Sequence, residues 1–234
     1  MFRNSAHVYD LIYAGMKDYA VEAREVHDIV QARRPGARSL LDVACGTGAH
    51  LRHLRQWYEV MGIDADAAML AQARPQLPGV TLVEADMRSF ELGRSFDAVI
   101  CLFSSIGYMT STGELDAAVA GMTRHLASGG VLVVDGWIRP DAWHDDTPPH
   151  VLTGADGTLA VARIGLSRRA GNKTTLEMHH LIASGGTVEY VVDEHQLTLF
   201  EPAEYTAALR RAGLEVEVAV GPMPGRDRYI GTRS

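Results

Sequence analysis

Apolar and polar positions change rhythm along this chain, and each change marks a different kind of element. Residues 7–15, H-V-Y-D-L-I-Y-A-G, cluster apolar and aromatic side chains and predict a short helix capping the domain. Val21, Val26, Ile29 and Val30 recur roughly at helical spacing, so a second helix is expected over 18–32, ended by Pro35-Gly36. Short apolar runs then alternate with helical stretches. Strands are predicted over 39–43, over 58–63 running into Asp64, over 80–83 ending near Asp86, over 97–102 and over 131–137. Between them, helices are expected from about Ala49 (Leu51 and Leu54 facing inward), over 67–73, and over 114–126 with Ser128-Gly129-Gly130 as the stop. Repeated β-α-β-α order implies a parallel sheet with helices on both faces.

After Pro140 the pattern differs. Residues 141–149 read as an irregular loop, followed by three strand-like segments over 158–167, 174–183 and 187–200. The gaps Ala170-Gly171-Asn172 and Ser184-Gly185-Gly186 have hairpin length, which predicts an antiparallel sheet inserted after the fifth strand. Glu201-Pro202 opens a last helix to Ala212, with proline at a tolerated first-turn position, and Gly213 stops it. Strands over 214–220 and 228–232 close the chain around a loop over 221–227.

Composition narrows the class. The chain has 234 residues with 47% hydrophobic and 22% charged side chains, which suits one elaborated α/β domain or two small ones. A net charge of −7 argues against a nucleic-acid surface. Neither a membrane span nor a secretory leader is expected. Cys45 and Cys101 lie at apolar strand ends and read as small buried thiols in a reducing cytoplasm. No metal site is expected. His50 and His53 have no acidic or thiol partner nearby in sequence, and His179 and His180 point to opposite faces of a strand.

The chemistry gathers where parallel sheets bind ligands, at the carboxyl ends of their strands. There lie the glycine turn 44–48, Asp64, Asp86-Met87 and Phe103-Ser104-Ser105. Asp64 stands at about the ~20-residue separation expected of a ribose-binding acid. Asp86 and Met87 suit an adenine, one accepting from its amino group and the other packing on its ring. A dinucleotide fingerprint needs a third glycine where this chain has Leu51, and no P-loop lysine follows the turn. S-adenosylmethionine, which carries no phosphate, fits better.

The motifs D-V-A-C-G-T-G, I-D-A-D, E-A-D-M and C-L-F-S-S-I-G resemble those of class I S-adenosylmethionine-dependent methyltransferases. Lys17-Asp18-Tyr19, L-R-H-L, Asp86-Met87-Arg88, L-T-L-F and the G-P-x-x-G-R loop at 221–226 extend the resemblance to the TDP-amino-sugar N,N-dimethyltransferases of macrolide pathways, over nearly the whole chain. That resemblance implies a seven-stranded Rossmann-like methyltransferase sheet, mostly parallel with its last strand antiparallel. It implies a methyltransferase core over 1–137 and 201–234, with an inserted antiparallel sheet over 138–200 covering the acceptor site and helping to form a homodimer. It puts the methyl donor on Tyr9, Tyr19, Ala44, Gly46, Asp64, Ala65, Met69, Asp86, Met87, Leu102 and Ser104. It puts a nucleotide-diphosphate amino sugar beside Tyr108, Trp137, Arg163, His179 and Arg226, with Arg226 facing the diphosphate and Tyr108 and Tyr19 beside the chemistry. The departures fall mostly on the acceptor side. S-I-G-H of the family is Ser105-Ile106-Gly107-Tyr108 here, W-W-F-P is Trp137-Ile138-Arg139-Pro140, and strand two ends in Asp64 rather than glutamate. The family's N-terminal extension, with a tyrosine near the acceptor, is not expected ahead of Met1.

Methyl transfer from a sulfonium needs chiefly orientation of a neutral nucleophile at about 3–3.5 Å. A phenol of ordinary pKa ~10 is a poor base at pH 7, so Tyr108 is expected to orient the amine while its proton leaves to water. Arg163 and His179 have a competing explanation in cross-strand pairing with Glu177 or Glu194. The alternatives are an O- or N-methyltransferase of another small natural product, a nucleotide-holding protein without turnover, and a nicotinamide-dependent oxidoreductase.

Overall fold

The computed structural model describes residues 5–234 and contains two sheets. Residues Ala6–Val8 form a 3-10 turn that leads into α1 (Tyr9–Tyr13). Asp18 accepts hydrogen bonds from the N–H groups of Ala20 and Val21 at 3.0 Å each and so starts α2 (Tyr19–Arg33). Then follow β1 (Ser39–Val43), α3 (Ala49–Leu54), β2 (Glu59–Asp64), α4 (Ala67–Gln76), β3 (Thr81–Glu84), β4 (Phe96–Cys101), α5 (Thr112–Arg124) and β5 (Leu126–Asp135). The second sheet is β6 (His150–Ala155), β7 (Leu159–Ala170), β8 (Lys173–Ser184) and β9 (Thr187–Thr198), after which come α6 (Pro202–Arg211), β10 (Leu214–Val220) and β11 (Asp227–Arg233).

The first sheet has the order β10-β11-β5-β4-β1-β2-β3, with β11 antiparallel to both its neighbours. Connections reverse direction between β1 and β4, so the crevice opens at their carboxyl ends. Alternate residues of the strands face opposite layers. Leu40, Ala98, Ile100, Val131 and Val133 pack under α2, α3 and α4, whereas Leu41, Val43, Val99, Leu132 and Val134 pack under α5 and α6. The four strands of the second sheet run antiparallel in the order β6-β7-β8-β9. α1 bridges the sheets: Val8, Ile12 and Tyr13 pack on Val161 and Ile182, and the Ser5 hydroxyl donates to Asp193 at 2.6 Å.

Three expectations change. β6 is a strand where a loop is expected through Pro148-Pro149, and its short, largely exposed H-V-L-T-G-A run suits an edge strand. The Gly129-Gly130 pair does not stop a helix. α5 ends at Arg124, and the glycines lie inside β5, where pairing shifts from Phe96–Leu126 to Ala98–Val131 across a bulge with Gly129 at φ +71°. Val21 is half exposed, and the buried face of α2 is Ala23, Val26 and Val30.

Candidate active site

β1 delivers the chain into a tight turn in which Ala44, Gly46 and Gly48 all have positive φ. A Cβ on Gly48 would collide with Leu77 Cδ1, and one on Gly62 of β2 would lie 2.7 Å from Cys45 Sγ, so Gly48 lets the turn pack against the end of α4 and Gly62 lets it sit down on the sheet. Phe103 and Ser104, just past β4, also hold positive φ without being glycine. Strained backbone of this kind gathers at ligand sites.

Asp64, at the end of β2, accepts from the Gly46 N–H at 2.7 Å and from the Asp66 N–H at 2.8 Å. Burial pushes its carboxyl up from the ordinary range, and those backbone donors pull it partly back. The Asp66 side chain caps α4 with one oxygen (Ala68 N–H, 3.0 Å), and its buried second oxygen has no hydrogen-bond partner among the described residues. These groups line a cavity of about 240 Å³ with Tyr9, Ala44, Ala65, Met69, Met87 and Tyr108. Asp86 closes it, chelated by Arg88, whose other arm reaches Glu114 at 2.7 Å. Those hydrogen bonds to Arg88 hold the Asp86 carboxyl below the usual carboxylate range.

Beside the glycine turn is a small recess lined by Tyr19, Asp42, His50 and Leu102. The Tyr19 hydroxyl is buried and unpartnered among the described residues, and burial raises its pKa, so it stays a donor. Tyr19 lines this recess and not the second, larger cavity between the sheets. Burial, with Asp64 nearby, pushes the Asp42 carboxyl well up. An Asp with a raised folded-state pKa costs the fold stability as pH rises through that pKa. Asp42→Asn is therefore expected to raise the melting temperature of the free protein at pH 7.5 by about 2–4 °C, roughly the effect of 1 kcal/mol, while weakening donor affinity. Scanning fluorimetry with and without S-adenosylmethionine checks both signs.

A second cavity of about 240 Å³ lies between the sheets, and Tyr9 and Tyr108 line it as well as the first. Trp137 and Phe103 supply apolar wall, while Met178 and Leu176 enter from β8. Two guanidinium groups face it. Arg163, 5% exposed, donates to the Tyr13 hydroxyl at 2.8 Å and leaves its Nε unpartnered among the described residues. Arg226 lies over Trp137 at 4.4 Å and donates to Ser104 Oγ at 3.0 Å, and burial lowers its pKa to about 10. Asp135, the nearest acid to Arg226 in its electrostatics, is taken by Arg228 at 2.7 Å. Among the described residues no carboxylate pairs with either guanidinium.

Ser104 lines the second cavity, where its hydroxyl donates to the Gly136 carbonyl at 2.7 Å and accepts from Arg226. One site assignment, that of His179, is corrected by its position. His179 lies on the outer face of the second sheet, 2.5 Å from the Tyr190 hydroxyl and 2.8 Å from Glu177. It takes no part in the acceptor wall. Three residues went unnoticed. Asp42 was signalled by an acid inside an apolar strand, Asp66 by its place two residues after Asp64, and Tyr13 by its i+4 spacing from Tyr9 on one helix face.

The switch-point cradle, its buried acids and the Tyr19 hydroxyl, unpartnered among the described residues, fit S-adenosylmethionine, and the protein is an S-adenosylmethionine-dependent methyltransferase. Residues 40–130 match the family described as methyltransferase domain. The dTDP-3-amino-3,4,6-trideoxy-alpha-D-glucopyranose N,N-dimethyltransferase of Streptomyces venezuelae is 46% identical over 97% of this chain and 96% of its own. The crystal structure of Streptomyces venezuelae DesVI superposes with a TM-score of 0.93 at 45% identity, covering 99% of both chains. S-adenosylmethionine-bound CalS10, an amino pentose methyltransferase from Micromonospora echinaspora, gives 0.87 at 40% identity over 97% of both chains. The chain belongs to the TDP-amino-sugar N,N-dimethyltransferase family.

Proposed function

We propose that this enzyme transfers methyl groups to the amino group of a nucleotide-diphosphate amino sugar. The observation that carries this reading is the pair of buried guanidiniums in the acceptor cavity with no carboxylate pairing with either among the described residues. An uncompensated buried cation is costly, and a diphosphate supplies the missing charge while presenting oxygens that a guanidinium binds in pairs. S-adenosylmethionine supplies, when bound, an electrophilic methyl group on a sulfonium. Asp64, Asp66 and Asp86 hold its nucleoside, with Met69 and Met87 packing on it, and Tyr19 and Asp42 hold its amino-acid end. The residues around the cavities would leave the amine unprotonated and facing that methyl group, with water to take the amine proton. Tyr9 and Tyr108, shared by both cavities, keep the two partners in line. Orientation of this kind supplies several kcal/mol of rate enhancement without a strong base.

The experiment is turnover of dTDP-3-amino-3,6-dideoxy-α-D-glucopyranose, with S-adenosylhomocysteine release and the mass of the sugar as readouts. Addition of two methyl groups is expected. Turnover of free amines or hydroxyl compounds but of no TDP-amino sugar would replace this reading with a methyltransferase of another small metabolite.

The outer face of the second sheet supports a homodimer. Ile164, Leu181, Val188 and Tyr190 are each more than 40% exposed on one face, together with Val151. A contiguous apolar patch of this kind marks an interface. Sedimentation velocity is expected to give twice the 25.4 kDa chain mass, and Leu181→Glu to give the single chain with donor affinity retained. A wild-type protein that sediments as one chain refutes this. The two buried thiols support a cytoplasmic setting.

A further inference from the structure

Tyr108 stands where the two cavities meet, at the end of a 3-10 turn spanning Ser105–Tyr108. Its hydroxyl oxygen lies 2.7 Å from Nδ1 of His195, on β9. His195 is 1% exposed, and burial first, then nearby positive charge that includes Arg163 on β7 and His180 on β8, lowers its pKa to about 3. Burial raises the pKa of Tyr108. Phenol and imidazole are therefore both neutral at pH 7, and one hydrogen lies between them.

Two arrangements are open to such a pair, and they have opposite consequences for a nucleophile. If the imidazole donated, the phenol would turn its own O–H toward the substrate and bond the nitrogen lone pair, blocking attack. If the phenol donates to Nδ1, only oxygen lone pairs remain to face the cavity. They accept an amine N–H and leave the nitrogen lone pair free. A phenol is the stronger acid and a neutral imidazole nitrogen the stronger acceptor, so the second arrangement prevails. Burial makes His195 a weak base, which suits it to accepting a hydrogen bond rather than to carrying a proton away.

We infer that His195 is a positioning residue: by accepting the Tyr108 proton it fixes the Tyr108 oxygen as the acceptor that turns the substrate amine toward the donor methyl. The inference rests on the amine acceptor proposed above.

The test compares His195→Leu, His195→Asn, Tyr108→Phe and the Leu–Phe double variant in turnover of the same TDP-amino sugar, with donor affinity measured by calorimetry on each. His195→Leu is expected to lower kcat about 30-fold with donor affinity unchanged, and Tyr108→Phe to lower it similarly. The double variant should lose no more than either single one. His195→Asn, whose amide oxygen takes the place of Nδ1, should recover most of the rate. If His195→Leu does not fold, the comparison of His195→Asn with Tyr108→Phe decides: a rate near wild type in the first and a loss in the second support the inference. Unimpaired His195→Leu, multiplying losses in the double variant, or His195→Asn as slow as Tyr108→Phe overturns it. Wild-type enzyme inactive on every TDP-amino sugar overturns the acceptor reading and this inference together. Normal wild-type turnover with an unimpaired His195→Leu overturns only the role of His195.

Discussion

Arg226→Ala is expected to raise KM for a TDP-amino sugar about 100-fold while leaving the dissociation constant of S-adenosylmethionine unchanged. A hydrogen bond to a charged group contributes about 1.5–3 kcal/mol, and the guanidinium presents two donors toward a diphosphate. Losing them is worth at least two powers of ten at 1.4 kcal/mol per power. Arg226→Lys should recover only part of the loss, since an ammonium keeps the charge but cannot fork onto two oxygens. The substitution also removes the contact over Trp137 and the bond to Ser104 Oγ. Acceptor titration with TDP alone, beside the full kinetics, checks the assignment. An Arg226→Ala enzyme that binds TDP as wild type does would remove the diphosphate from this cavity.

Asp64→Asn is expected to weaken S-adenosylmethionine binding by about 30- to 100-fold. The carboxylate accepts from two backbone N–H groups through separate oxygens. An amide keeps one acceptor and turns an NH₂ toward the other N–H, so one donor pair meets head-on in a buried place and the ribose loses a charged partner. The loss should appear in KM for the donor and in calorimetry, with KM for the sugar little changed. Unaltered donor affinity would take Asp64 out of the site.

The positions of the expected donor residues were legible because they sit at strand ends. The carboxyl end of each parallel strand opens on the same crevice, so finding β1, β2, β3 and β4 places Ala44, Asp64, Asp86 and the Phe103 turn without knowledge of any side-chain contact. Three-dimensional consequences of one-residue differences were not legible. Arg163 stands opposite His180 and Ile164 opposite His179, so strand alternation sends Arg163 to the cavity and His179 to the outer face. Without the register, the adjacent histidines could not be told apart, and Glu177 beside His179 was the better clue. β6 was equally obscure, because an exposed edge strand has no apolar alternation to announce it. The position of Ser104 turned on a positive φ that no local composition signals.

The donor cavity takes none of its wall from residues 138–200, whereas the acceptor cavity draws His150, Arg163, Leu176, Met178 and Leu197 from that span. Changes in that stretch can therefore reshape part of the acceptor wall while the wall of the donor cavity stays as it is.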